Sequence, residues 1–155
     1  MAGFFSALFS RIFSSEKETE GILSGRFLRN VACDGALAKA CVRLKKHNCK
    51  GLEPLPNMST WSLICEEIVD TTYEQRYYDR VVCELHRRNL TDDQIKEMRI
   101  FAWRTAGWLN FEKNLLDWNG LGEKDILMAI DWQAKDGLIS QTERESLINY
   151  LNQFN

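Results

Sequence analysis

The stretch Thr91-Asp-Asp-Gln-Ile-Lys-Glu-Met-Arg-Ile-Phe-Ala102 decides the fold class. Thr91 with Gln94 three residues later is the pattern of a capping box, in which each side chain binds the other residue's backbone amide. Ile95, Met98 and Ala102 then recur at steps of three and four residues, which places them on one side of a helix. The stretch therefore predicts an amphipathic helix that begins directly after Thr91.

The rest of the chain shows the same helical spacing of apolar side chains, and few stretches alternate as strands do. Further helix starts are expected at Asp34, and at Ser140 or Thr142 with a Glu three residues later. We therefore predict an all-α fold, a single compact domain over residues 1–155 with seven or eight helices in orthogonal or bundle-like packing. A chain of 155 residues, 45% of them hydrophobic, buries a core without a metal or a disulfide.

The two prolines, Pro54 and Pro56, mark the clearest interruption of the helical pattern. Proline lacks the amide that a helix interior uses, and it pushes the preceding residue to extended backbone. The interruption predicts a linker over residues 51–58 between the N-terminal helices, residues 1–50, and a helical body, residues 59–155. Residues 1–50 hold nine Lys or Arg and four Asp or Glu, against eleven and eighteen in the remainder. This acidic remainder argues against nucleic acid and favours a protein partner, a basic one in particular.

Five cysteines without close pairing are unlike the framework of a small secreted disulfide protein. We therefore expect free, mostly buried thiols in a reducing compartment, at Cys33, Cys41, Cys49, Cys65 and Cys83. The sequence shows neither a signal-peptide pattern nor an apolar run long enough to cross a membrane. The expected location is the cytoplasm.

The first fifty residues contain the residue types of a zinc site, at Cys33, Cys41, His47 and Cys49. Structural zinc ligands usually include a close pair on a turn, and this group has no such spacing. Buried cysteines beside an exposed histidine explain the group better. We predict no metal and no other cofactor.

A second group, Asp79, Cys83 and His86, lies at steps of four and three residues on one face of a predicted helix. A catalytic thiol uses an imidazole and a carboxylate as neighbours, so a small enzyme is one alternative function. No catalytic motif supports it, because the sequence has no phosphate loop, nucleophile elbow or metalloprotease helix. We therefore assign no catalytic residue.

The segment from Trp132 to Glu143 resembles the second half of an EF-hand calcium loop, with Gly137 at the sharp turn and Ile139 at the apolar position. The first half departs from that pattern, since Trp132 and Ala134 stand where calcium needs oxygen ligands. The resemblance implies a helix-turn-helix shape without the metal.

Aromatic side chains are dense near the C-terminal third of the chain, with Trp103, Trp108, Trp118 and Trp132 within 30 residues. Most are expected in the core, because aromatic side chains bury large areas. Trp108 and Trp118 lie nearest to Gly and Asn turn residues. They are the tryptophans that we expect to bind a partner, since Trp dominates the energetics of many interfaces.

Residues 4–13 predict a first, amphipathic helix, because their apolar residues share one face: Phe4, Phe5, Leu8, Phe9, Ile12 and Phe13. Three uses remain open, namely packing within the protein, docking on a partner or a second copy, and lying in a membrane surface. Arg11 is the only cation of this helix and three Glu follow it, which disfavours anionic lipid. Phe5 and Phe9 are the candidate contacts.

Composition and the absence of catalytic motifs favour a non-enzymatic protein-binding function. We expect an adaptor, an inhibitor or an immunity-type protein that acts through an acidic helical surface containing aromatic residues. A peripheral membrane protein anchored by the first helix and a small enzyme with a Cys/His site are the alternatives.

Overall fold

The computed structural model describes residues 23–69, 72–114 and 120–155. These residues form helices and no strand, which confirms the all-α prediction. The helices are α1 (Gly25–Cys33), α2 (Ala36–Lys46), α3 (Thr60–Cys65), α4 (Gln75–Arg87), α5 (Asp92–Ala102), α6 (Trp108–Phe111), α7 (Glu123–Lys135) and α8 (Gln141–Asn152). A π-helical turn, Trp103–Gly107, joins α5 to α6. The predicted helix over residues 4–13 lies outside the described residues, so the number of helices stays a prediction.

The capping box that opens α5 is present as predicted. The Gln94 amide donates to the Thr91 hydroxyl at 3.2 Å, and the Thr91 amide donates to the Gln94 side-chain oxygen at 2.9 Å. Ser140 and Glu143 open α8 in the same way, with the Ser140 amide 2.7 Å from the Glu143 carboxylate. Each pair satisfies amides that the first helical turn leaves without a partner.

The start of α2 differs from the prediction that Asp34 caps it. Gly35 is the N-cap residue, and the carboxylate that accepts from the first turn belongs to Glu67, which takes the Leu37 amide at 3.0 Å. Asp34 instead ends α1, since its amide donates to the Asn30 carbonyl at 2.8 Å. The prediction was wrong because a distant side chain occupies the capping position, and local sequence does not show that contact.

The core combines residues from both sides of the predicted linker. One buried cluster includes Leu37 of α2 together with Trp61, Phe101 and Leu147 of later helices. Trp61 is completely buried, and its indole N–H donates to the Leu151 carbonyl at 3.0 Å, so its one polar atom is satisfied.

The segment of residues 49–58, here called the strap, is fixed along α4. Arginines of α4 and of its C-cap donate to strap carbonyls, Arg76 to Gly51, Arg80 to Glu53, Arg87 to Leu52 and Arg88 to Met58. In return, the Glu84 carboxylate accepts the Leu55 amide at 3.1 Å. The predicted linker is thus a bound segment, because side chains of α4 and its C-cap supply hydrogen-bond partners to its backbone.

A disulfide between Cys49 and Cys83 ties the strap to the buried side of α4, with their Cα atoms 5.8 Å apart. The expectation of five free thiols was therefore wrong for this pair and correct for Cys33, Cys41 and Cys65. The two partners are 34 residues apart, and only the return of the strap along α4 brings them together.

The disulfide also bears on location. Disulfides persist mainly in oxidising compartments, so this bond counts against the reducing compartment that we expected. The cytoplasmic location stays a prediction. Among the described residues, no helix has the length and apolar character needed to cross a membrane.

A buried ion pair joins the α3–α4 connection to α5. The Arg99 guanidinium lies 2.6 Å from the Glu67 carboxylate, and the two side chains are 1% and 2% exposed. Glu67 also accepts from the Trp103 indole at 3.1 Å, and Arg99 also donates to the Val31 and Asp34 carbonyls, both at 2.9 Å. Every charged group of this Glu67–Arg99 centre therefore has several polar partners.

Gly35 lies directly against this centre. Its φ is 132°, and a Cβ at this position would overlap the Arg99 guanidinium and lie 2.9 Å from the Glu67 carboxylate. Glycine is needed here for its backbone conformation and for the close approach of the charged side chains.

Candidate partner-binding surface

The candidate surface lies on helix α7 and the turn that follows it. It begins after Gly122, whose amide donates to the Asp125 carboxylate at 2.9 Å. Its buried stripe consists of Ile126, Ala129, Ile130 and Gln133, at the steps of three and four residues expected for one helical face. The stripe packs against α8 and the π-helical turn, so the opposite side of α7 faces outward.

The end of α7 has the hydrogen bonds of a Schellman motif. The Leu138 amide donates to the Gln133 carbonyl at 2.8 Å, and the Gly137 amide donates to the Ala134 carbonyl at 3.1 Å. Gly137 has a φ of 72°, the left-handed conformation that this motif requires. The turn directs the chain into α8 and leaves Leu138 at the surface, 48% exposed.

Four large apolar side chains on α7 and this turn are exposed, and we call them the α7 face: Leu127 (40%), Met128 (41%), Trp132 (40%) and Leu138 (48%). Seven large apolar side chains are exposed among the described residues, and these four lie within 12 consecutive positions. Single exposed apolar residues are ordinary, and their grouping on one helix and its turn makes the α7 face the candidate surface.

Ion pairs hold two carboxylates beside the α7 face. Asp131 of α7 lies 2.7 Å from the Arg144 guanidinium of α8. Asp136, the C-cap of α7, lies 2.7 Å from the Lys113 ammonium. These pairs are partly exposed, so they contribute little to the free energy of folding.

Of the residues that the sequence suggested as partner contacts, the structure describes only Trp108. Trp108 is 2% exposed and packs with Leu109 and Ala129, while the Lys113 ammonium sits 5.3 Å from its ring centroid. In this conformation Trp108 belongs to a buried cluster. Phe5, Phe9 and Trp118 lie outside the described residues, and their role in binding stays a prediction.

The exposure of Trp132 was not predicted, since most tryptophans were expected in the core. The sequence of α7 does contain a sign that its outward side is partly apolar. Leu127 and Met128 lie between the buried Ile126 and Ala129 in the sequence, so the apolar residues of α7 extend around more of the helix than one buried stripe requires.

The segment that resembles an EF-hand loop includes the turn that joins α7 to α8, and the two helices with this turn have the helix-turn-helix shape that the resemblance implied. Ile139 is buried, 7% exposed, and Gly137 makes the turn. The carboxylate of Glu143 accepts the Ser140 amide and so serves α8 as a cap. Among the described residues no cluster of His, Cys, Asp and Glu is arranged to hold a metal ion.

Neither of the two groups of cysteine and histidine that the sequence suggested forms a site in the structure. Cys83 is buried in its disulfide, His86 lies 2.8 Å from the Asp92 carboxylate, and Asp79 pairs with Arg43. The Cys83 thiol required by the enzyme alternative is therefore absent in this structure. Cys49 of the zinc-type group is consumed by the same bond.

A groove of about 460 Å³ lies between the start of α3 and the start of α7. Its lining includes Ser59, Ser62, Glu66, Gly122 and Lys124. Burial raises the pKa of the Glu66 carboxyl, and the hydrogen bond from the Tyr77 hydroxyl, 2.7 Å long, opposes that rise. The groove is open and mixed in charge, and its geometry points to no particular ligand.

Comparisons with models of known protein families, with curated proteins and with solved structures gave no match for this chain.

Proposed function

We propose that this protein is a non-enzymatic binding protein, of the adaptor, inhibitor or immunity type, and that it engages another protein through the α7 face. The observation that carries the proposal is the concentration of exposed apolar side chains on one helix and its following turn. Helices that present such residues commonly bind apolar grooves or complementary helices.

The composition of the α7 face suits a protein interface. Trp132 and Met128 belong to residue types enriched at interfaces, and Trp is among the residues that contribute most binding energy. Residues 120–155 carry six Asp or Glu and three Lys or Arg, a net charge of −3. An apolar centre with an acidic surround favours a partner whose rim is basic, because opposite charges accelerate encounter and suppress wrong partners.

The experiment is affinity capture from the cells that make the protein, with the captured proteins quantified by mass spectrometry. The test variant is Trp132→Ser with Leu138→Ser, which removes two exposed anchors of the α7 face. The matched control is Val42→Ser with Tyr73→Ser, which removes two exposed apolar side chains elsewhere, 58% and 36% exposed.

A stoichiometric protein recovered with the wild type and the control, and reduced at least about tenfold with the test variant, supports the proposal. Tenfold corresponds to about 1.4 kcal/mol of binding free energy, which is less than a typical Trp hot spot contributes. Equal recovery of that protein by both variants contradicts binding through the α7 face.

A further inference from the structure

The two halves of the strap are held on α4 in different ways. None of its ten residues is buried, so the whole strap lies at the surface. In the second half, residues 54–58, the Leu55 amide and the Met58 carbonyl make partly buried hydrogen bonds, and both side chains pack against the core. The core therefore anchors the second half.

The first half, residues 49–53, has weaker non-covalent contacts. The carbonyls of residues 51–53 accept exposed hydrogen bonds from Arg76, Arg80 and Arg87, at 3.0, 3.1 and 3.1 Å. Exposed hydrogen bonds compete with water, so each contributes little to holding the segment. The disulfide at Cys49 is the contact that water cannot replace.

The five cysteines differ in their access to thiol reagents. Cys83 is completely buried, whereas its partner Cys49 is partly exposed. Cys41 and Cys65 are buried, and burial raises the pKa of both thiols, that of Cys41 to about 12, so neither supplies a reactive thiolate. A thiol reagent therefore has two accessible targets, the bonded Cys49 and the free, exposed Cys33.

From this arrangement we propose that the Cys49–Cys83 disulfide is a redox latch, which keeps the first half of the strap on α4 until a dithiol reductant opens it. Opening releases residues 49–53 and frees the three arginines that now bind their backbone. The second half keeps its packing on the core. The latch includes no residue of the α7 face, so it goes beyond the proposed function and is tested separately from it.

The chemistry of opening is thiol–disulfide exchange. One thiolate of the reductant attacks Cys49 Sγ, the S–S bond breaks, and its electron pair leaves on Cys83 Sγ, which takes up a proton because burial disfavours a thiolate. The second thiolate of the reductant then attacks the reductant's own sulfur in the mixed disulfide and releases Cys49. The reductant ends as its disulfide, and its two protons end on the two cysteines.

The core does not depend on this bond. Side-chain packing joins Leu37 of α2 with Trp61 and Leu147 of later helices. Once reduced, Cys83 packs as a small apolar side chain and keeps its buried place. Opening the latch is therefore a local change.

Limited proteolysis of the full chain by trypsin tests the latch, with fragments quantified by mass spectrometry. The protein is treated with dithiothreitol under nitrogen, desalted and digested beside the untreated protein. Lys50 is exposed and lies in the first half of the strap. Because proteases cleave the locally open form, we expect cleavage after Lys50 to be at least about tenfold faster once the bond is reduced. Cleavage after Arg144, within α8, is the internal reference and should keep its rate.

Two variants separate the latch from other effects of the reductant. Cys49→Ser has no bond to reduce, so its cleavage after Lys50 should be fast with or without dithiothreitol. Cys33→Ser removes the exposed free thiol and leaves the disulfide intact, so it should behave as the wild type does.

Three results would overturn the proposal. Equal cleavage after Lys50 in the untreated wild type and in Cys49→Ser would mean that the arginines hold the strap without the bond. Parallel acceleration after Arg144 would mean that the disulfide stabilises the whole fold. Failure of Cys49 to react with N-ethylmaleimide after dithiothreitol treatment of the folded protein would mean that the bond does not open.

Discussion

The Glu67–Arg99 centre and the α7 face both invert the usual distribution of residues, and they do so in opposite ways. At the centre two charged side chains are buried, 2% and 1% exposed. On the α7 face four large apolar side chains are at least 40% exposed. Both arrangements cost free energy unless something compensates.

The two regions differ in whether the described residues supply the contacts that offset this free-energy cost. Glu67 and Arg99 have partners within the described chain, including the Leu37 amide and the Val31 carbonyl. Trp132 and Leu138 remain exposed within the described residues. The centre is therefore explained by the fold, whereas the α7 face is the surface through which we propose that the protein binds a partner.

The largest predicted effect is at the centre. Glu67→Ala leaves the Arg99 charge buried without its carboxylate and should lower the free energy of unfolding by about 3–5 kcal/mol. Urea denaturation followed by circular dichroism measures this loss. The control Glu145→Ala, on the exposed side of α8, should change stability by less than about 0.5 kcal/mol. A similar small change for both variants would show that the centre does not hold the helices together.

A smaller loss in the free energy of unfolding is expected when an added side chain at position 35 crowds the Glu67–Arg99 centre. Gly35→Ala adds a Cβ that overlaps the Arg99 guanidinium at a φ of 132°. Gly51→Ala has a φ of 77° with open space around it, so it measures backbone strain alone, about 1 kcal/mol. Gly35→Ala should cost more, about 2–3 kcal/mol in the same denaturation experiment. Equal losses would mean that Arg99 moves aside freely.

The third prediction concerns Glu66, a buried carboxyl with no ion pair in the described residues. Because burial raises its folded pKa above the unfolded value, the stability it contributes is complete below that unfolded pKa and is lost as pH rises through the folded pKa. Glu66→Gln stays neutral and can still accept from Tyr77. Its melting temperature should exceed that of the wild type at pH 7 and approach it near pH 4; a constant difference across this range would contradict the assignment.

The smallest effect on stability is expected on the α7 face. Trp132→Ser with Leu138→Ser removes exposed atoms, so the free energy of unfolding should change by no more than about 1 kcal/mol in total. Thermal unfolding of the isolated protein measures it. A loss comparable with that of Glu67→Ala would show that the α7 face is part of the core and would remove the contrast on which the proposed function rests.

Local signals were sufficient for much of the fold. The pairs Thr91–Gln94 and Ser140–Glu143 lie three residues apart, and the structure confirms both capping boxes. Contacts between distant residues could not be predicted in this way. Glu67 caps α2 from 30 positions away, and Cys49 reaches Cys83 only because the strap returns along α4. The sequence offered no local sign of either contact.

The candidate surface was predicted less well than the fold. Trp108 of α6 was expected to bind a partner and is 2% exposed, whereas Trp132 of α7 is 40% exposed. Their difference arises from packing, because α7 turns its Ala129 side toward Trp108 and its other side outward. Periodicity identifies the helix, but choosing between two apolar sides needs the neighbouring elements.

Site-specific photo-crosslinking in the cells that make the protein tests the central claim most directly. A photoreactive phenylalanine derivative replaces Leu138 in one protein and Val42 in another, two positions that are 48% and 58% exposed. The account predicts a discrete adduct with a second protein from position 138 and none of that adduct from position 42. The same adduct from both positions, or from position 42 alone, would contradict a binding function of the α7 face.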